Sequence, residues 1–200
     1  ASGSVRSINI ASGAGIDLRD NALVLDYTSA SPAEAVLGWL ASGELSTSLP
    51  DRVLGYIESA ERFTTFPGLF DGVTVDSTAL IIAPTLVGDT NLDGSVDFDD
   101  LLALAQRYEQ TGGWSQGDFD YDGVVGFSDL LALAQNYGGA AVESLQLDAS
   151  VAILLGDWQH ARSIVPEPVS TGVTAIIGVG FALSRRRWSV YGLNVENSLA

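Results

Sequence analysis

The sequence predicts an α+β protein in several parts: a small β-rich unit at the N-terminus, a pair of acidic loop-plus-helix repeats, and one apolar helix near the C-terminus. Three observations carry this reading. Short apolar or partly alternating stretches at 16–25 and 79–83 have strand character. A gap-free repeat with an offset of 29 residues relates 89–106 to 118–135. Residues 169–184 carry no charge and run directly into Arg185-Arg186-Arg187. The implied organisation is 1–87, a β-rich or α+β unit; 88–138, the repeats; 139–164, a linker with a short apolar piece at Val151–Leu155; 165–187, the apolar helix with its flanks; and 188–200, a tail.

Composition narrows the functions open to the chain. Its 200 residues carry 25 acidic and 9 basic side chains, a net charge of −16, and every basic residue is arginine. Such a chain repels phosphate backbones, which excludes nucleic acid as a partner. The absence of cysteine excludes disulfides, thiolate metal sites and cysteine nucleophiles. No methionine is present, and Ala1–Ser7 lack signal-peptide character. The expectation is therefore a C-terminal part of a longer protein, with residues 1–87 ending a larger ectodomain.

In the N-terminal unit, Ser31-Pro32-Ala33-Glu34 marks a helix start: a cap, proline at the first helical position, and glutamate placed to close a capping box. Ala35, Val36, Trp39 and Leu40 follow at helical spacing, and Gly43 is the predicted terminator. Asp17, Asp20 and Asp26 read as strand-end or turn residues. No catalytic arrangement is visible here.

The repeats carry the chemistry. Asp89, Asn91, Asp93 and Asp100 stand at loop positions 1, 3, 5 and 12, with Gly94 at 6; Asp118, Asp120, Asp122, Asp129 and Gly123 match them. This is the spacing of a calcium loop, whose alternate side chains converge on one ion while glycine permits the sharp turn. Ser95 and Val124 would each supply a backbone carbonyl at position 7. At position 9, Asp97 can ligate directly or through water, whereas Gly126 leaves water alone, so the second loop should bind more weakly. Val96 and Val125 at position 8 are expected to pair across the loops and bury between them. Four aspartates in one loop repel strongly without a cation, and two calcium ions are predicted. Asp100 and Asp129 stand at position 12, where sensor EF-hands use glutamate. Neither Ala83–Gly88 nor Gly112–Gly117 reads as a helix, so each unit is a loop with an exiting helix only and cannot open as a helix pair.

On these residues, 88–138 resembles a dockerin domain. The resemblance implies two loop-plus-helix repeats related by a pseudo-twofold, no catalysis, and attachment to a cohesin-like or other surface or scaffold protein. The partner-reading positions it implies fall on Phe98, Asp99, Phe127 and Ser128. The basic pair usual in the family is absent, since Ala105-Gln106 and Ala134-Gln135 stand in its place.

The uncharged segment Val169–Leu183 would span roughly 22 Å as a helix, short of a hydrocarbon core of about 30 Å. Ser184 and snorkelling arginines extend it, and Trp188 and Tyr191 suit an interface. A single transmembrane helix is the expectation, with the arginines inside and everything before it outside. Together with Pro166, Glu167 and Pro168 before the span and Arg185, Arg186 and Arg187 after it, this segment resembles a PEP-CTERM sorting signal. That implies recognition by an exosortase, transient anchoring in the inner membrane, and delivery to the cell surface or extracellular matrix. The tail 188–200 departs from the pattern.

His160 is the sole histidine, and no nucleophile or third partner accompanies it. The leading expectation is a non-catalytic, calcium-stabilised attachment region of an exported bacterial protein. The alternatives are the tail of a secreted polysaccharide-degrading glycoside hydrolase whose catalytic domain lies upstream, and an adhesin or matrix protein.

Overall fold

The computed structural model describes residues 3–139 and 147–165, and it is α+β. The central strand of its main sheet is β8 (Ala79–Thr85), whose apolar run is buried almost throughout. A continuous apolar stretch is what a strand covered on both faces requires. Antiparallel to β8 lie β3 (Leu23–Asp26) on one side and β5 (Val53–Glu58) on the other; β1 (Gly3–Val5) joins β3 in parallel. The partly alternating run 16–25 is not one strand. Arg19 takes φ 53°, the chain turns, and only Ile16–Asp17 (β2) remains on the near side, paired with Leu45–Ser46 (β4). A hairpin of Gly68–Phe70 (β6) and Val73–Val75 (β7) turns through Asp71 and Gly72, both at positive φ. That conformation suits the two-residue turns whose twist matches flanking strands.

Helix α1 (Ala33–Ser42) stops as its sequence signals but starts one residue later: Pro32, expected at the first helical position, stands at the N-cap, where it closes no side-chain cap bond or capping box. Gly43 adopts φ 75° and its N–H returns to the Leu40 carbonyl. The Ser31 hydroxyl accepts the Ala33 N–H at 3.1 Å and donates to the Glu58 carboxylate at the end of β5. A short helix, α2 (Ser59–Arg62), follows β5.

Each acidic loop leads into one helix, α3 (Phe98–Arg107) and α4 (Phe127–Asn136). As expected, no α-helix enters either loop: β8 precedes the first, and a single 3-10 turn at Trp114–Gln116 precedes the second. The repeats hold each other reciprocally. The Glu109 N–H donates to the Val125 carbonyl at 2.8 Å, and Gly138, 29 residues later, donates to Val96 at 2.9 Å. Val96 and Val125 are both buried, at 1% and 0% exposure, but their backbone bonds run to the residue past the other repeat's helix and not to each other. Gly88 (φ 107°) and Gly117 (φ 104°) press their bare Cα atoms against the opposite helix. A Cβ on Gly117 would stand 2.9 Å from the Leu104 Cα, a backbone atom that cannot yield. Gly117→Ala therefore adds left-handed strain to overpacking, and should cost about 2–4 kcal/mol. Urea denaturation measures it, and an unshifted midpoint would contradict the close approach.

Two expectations about boundaries change. Residues 3–87 and 88–138 differ in sequence character but share one hydrophobic core within one compact unit. The linker expected at 139–164 is, from Leu147 to Ile164, a helix (α5) packed on α3. Trp158 and Ala161 are buried, the Trp158 ring meets Tyr108 edge-on at 5.4 Å, and the Tyr137 hydroxyl donates to Asp157 at 2.6 Å.

Candidate metal centre

The two loops carry one hydrogen-bond network at the 29-residue offset. The position-1 carboxylate accepts the N–H groups of positions 5 and 6: Asp93 and Gly94 donate to Asp89 at 3.1 and 2.9 Å, and Asp122 and Gly123 to Asp118 at 3.2 and 3.0 Å. The position-3 side chain accepts the position-5 N–H, from Asp93 to Asn91 and from Asp122 to Asp120. Position 5 accepts from position 7, both at 2.8 Å, in the bonds of Ser95 to Asp93 and Val124 to Asp122. Gly94 (φ 91°) and Gly123 (φ 85°) sit where the loop reverses.

Position 12 closes each loop onto its helix. Asp100 accepts the Thr90 and Asp97 N–H groups, both at 2.8 Å; Asp129 accepts those of Phe119 and Gly126 at 2.7 and 2.8 Å. Each carboxylate lies in the first helical turn, where the helix dipole favours negative charge. Asp97 also caps α3 by accepting the Asp99 N–H at 3.0 Å, whereas Gly126 has no side chain to do so.

The arrangement buries charge. Asp89, Asp100 and Asp118 are fully buried and Asp129 is 1% exposed. Desolvation raises the pKa of all three of Asp89, Asp100 and Asp118, with Asp100 and Asp118 pushed up to about 6. The donors to these loop carboxylates among the described residues are neutral: backbone N–H groups, the Asn91 amide and the hydroxyls of Thr85 and Thr90. Buried carboxylates without a positive partner are costly, and a cation offsets that cost. In the second loop, carboxylate oxygens of Asp118, Asp120 and Asp129 lie within 4.8 Å of one another, close enough to hold one metal ion. The donor set is all oxygen, which fits a hard divalent cation.

Asp122 stands outside that trio, with its Oδ1 on the Val124 N–H. In the first loop Asn91 occupies the place of Asp120 and donates to Asp93 at 3.0 Å. Sequence reasoning missed Thr85 and Thr90, which donate to Asp89 and Asp100. It also missed Trp114, fully buried, whose indole N–H donates to the Asp89 carbonyl at 2.7 Å. Their positions in the repeat give no signal, because the equivalents of Thr85 and Thr90 are Trp114 and Phe119.

The partner-reading positions are not equivalent either. Phe98 is half-buried against His160, with ring centroids 5.5 Å apart, while Phe127 and Leu131 on α4 are 56% and 53% exposed. Asp99 and Ser128 are exposed.

Comparison of the chain with protein-family models, with characterised proteins and with solved structures finds no match. Among the described residues no helix is long and apolar enough to cross a membrane. The transmembrane helix and the sorting signal, Pro166, Glu167, Pro168, Arg185, Arg186 and Arg187, lie outside the described residues.

Proposed function

We propose that residues 88–138 bind two calcium ions, and that this module is the non-catalytic attachment region of an exported, surface-sorted bacterial protein. The observation that carries the calcium reading is the set of loop hydrogen bonds that the two repeats share around buried carboxylates. Asp89, Asn91, Asp93 and Asp100, with Asp97 and the Ser95 carbonyl, form one site. Asp118, Asp120, Asp122 and Asp129, with the Val124 carbonyl and a water at Gly126, form the other. Calcium supplies the positive charge that these carboxylates lack.

Attachment runs through the second repeat. Phe127, Ser128 and Leu131 stand free on α4, whereas α5 covers the matching Phe98. A cohesin-like or other surface protein is the partner class. The apolar segment and arginine triplet act as a transient inner-membrane anchor that an exosortase removes, with the calcium module outside and residues 188–200 inside until then.

Calorimetry tests the metal reading. The chain should take up two calcium ions, and Asp100→Ala and Asp129→Ala should each leave one. The variant that retains only the second loop should bind more weakly, because Asp97 has no counterpart at Gly126. No heat of binding in the unaltered chain would end the calcium reading, and tighter binding in Asp100→Ala would reverse the order of the sites.

A further inference from the structure

Both loops touch the same strand. Position 4 of each is Leu92 or Tyr121, 29 residues apart, and both adopt positive φ, 57° and 62°. Bulky residues rarely take this conformation, and here it turns each side chain away from the ligand ring. Both side chains land on β5. Leu92 rests on the bare backbone of Gly55, where a Cβ would stand 2.5 Å from its Cδ2. The Tyr121 hydroxyl donates to the Leu54 carbonyl at 2.7 Å. Trp114 fills the space between: it covers Gly55, stacks on Tyr121 at 5.8 Å, and bonds the carbonyl of Asp89, the first residue of loop 1. Strand β5 is an edge of the main sheet; because a Cβ projects from a sheet's face, Leu92 and Trp114 cover the face of β5 at Gly55, and the Tyr121 hydroxyl bonds its backbone at Leu54.

From this we infer that calcium at the two loops controls the packing of the edge strand β5: Leu92 and Trp114 cover its face at Gly55, and Tyr121 holds its Leu54 carbonyl, only while the loops hold their ions. The inference rests on the calcium reading above and extends it to a region that contains no ligand. An ion fixes the ring of positions 1, 3, 5, 7 and 12, and thereby fixes the outward residue between positions 3 and 5. Without it the buried carboxylates repel, the loops open, and both anchors leave β5 together. The N-terminal sheet thus senses calcium through contacts and not through coordination. Linkage requires the reverse as well: a change in β5 must alter calcium affinity.

The test uses the whole chain, in calcium or in excess EDTA, with hydrogen exchange read on peptides covering 53–58 and 79–85. Calcium should slow exchange at 53–58 by about tenfold or more. Gly55→Ala, which touches no ligand, should weaken calcium binding by about tenfold. Tyr121→Phe removes one hydrogen bond and keeps every ligand; it should weaken binding by about threefold to tenfold and decides the matter if Gly55→Ala does not fold. If the chain binds calcium but exchange at 53–58 and the affinity of Tyr121→Phe are unchanged, the coupling is wrong and the calcium reading survives. If the unaltered chain binds no calcium, the calcium reading falls and the coupling falls with it.

Discussion

In excess chelator the chain should melt about 10–20 °C below its midpoint in millimolar calcium. With a dissociation constant of about 10 μM, each site contributes roughly 2.7 kcal/mol at 1 mM calcium, so two sites contribute about 5 kcal/mol. For a chain of this size each kcal/mol moves the midpoint by about 2–4 °C. The sheet and the repeats share a core, so the loss should register across the whole compact unit and not in the loops alone. Circular dichroism at rising temperature, with calcium or EDTA, measures the shift. Coincident curves would mean that the buried carboxylates of Asp89, Asp100, Asp118 and Asp129 need no cation.

Trp114→Ala should destabilise the chain by about 3–5 kcal/mol, the cost of truncating a large aromatic side chain in a core. Trp114 is 0% exposed, meets Phe119 edge-on at 5.1 Å, and donates to the Asp89 carbonyl. Its removal leaves that buried carbonyl without its indole donor and opens space over Gly55. Trp39, half-buried on α1, is the control and should lose much less on the same substitution. Urea unfolding separates the two, and a loss below about 1 kcal/mol for Trp114→Ala would place the weight of the interface elsewhere.

What the residues announced beforehand were features with local causes. Gly43 terminates α1 because only local backbone freedom is needed, and the loop network follows from residues at most twelve apart in sequence. The apolar run of β8 needed only its own composition. Helix α5 is not legible in the sequence because Val151–Leu155 is a short apolar piece in a polar setting, and Tyr108 and Tyr137, on which the helix leans, lie 50 and 20 residues before their partners Trp158 and Asp157. The break in 16–25 depended on a left-handed arginine, which composition does not favour. The meeting of Leu92 and Tyr121 with β5 was invisible for the same reason as α5: the strand and the loops acquire their shapes separately and fit only in three dimensions. Asp71-Gly72 is a local turn signal of the kind the hairpin uses.

The reciprocal bonds of Val96 with Gly138 and of Val125 with Glu109 make each repeat incomplete without the other. One repeat by itself leaves Gly88 or Gly117 without the opposite helix, and leaves the valine carbonyl without its donor. Each repeat meets those needs in the other, so the pair has, within one chain, the reciprocity of a symmetric dimer. A single chain can also carry what a symmetric dimer cannot: one helix, α5, on one side only. By lying on α3, α5 makes the two halves unequal: Phe98 is held against His160, while Phe127 and Leu131 on α4 keep an exposed apolar surface.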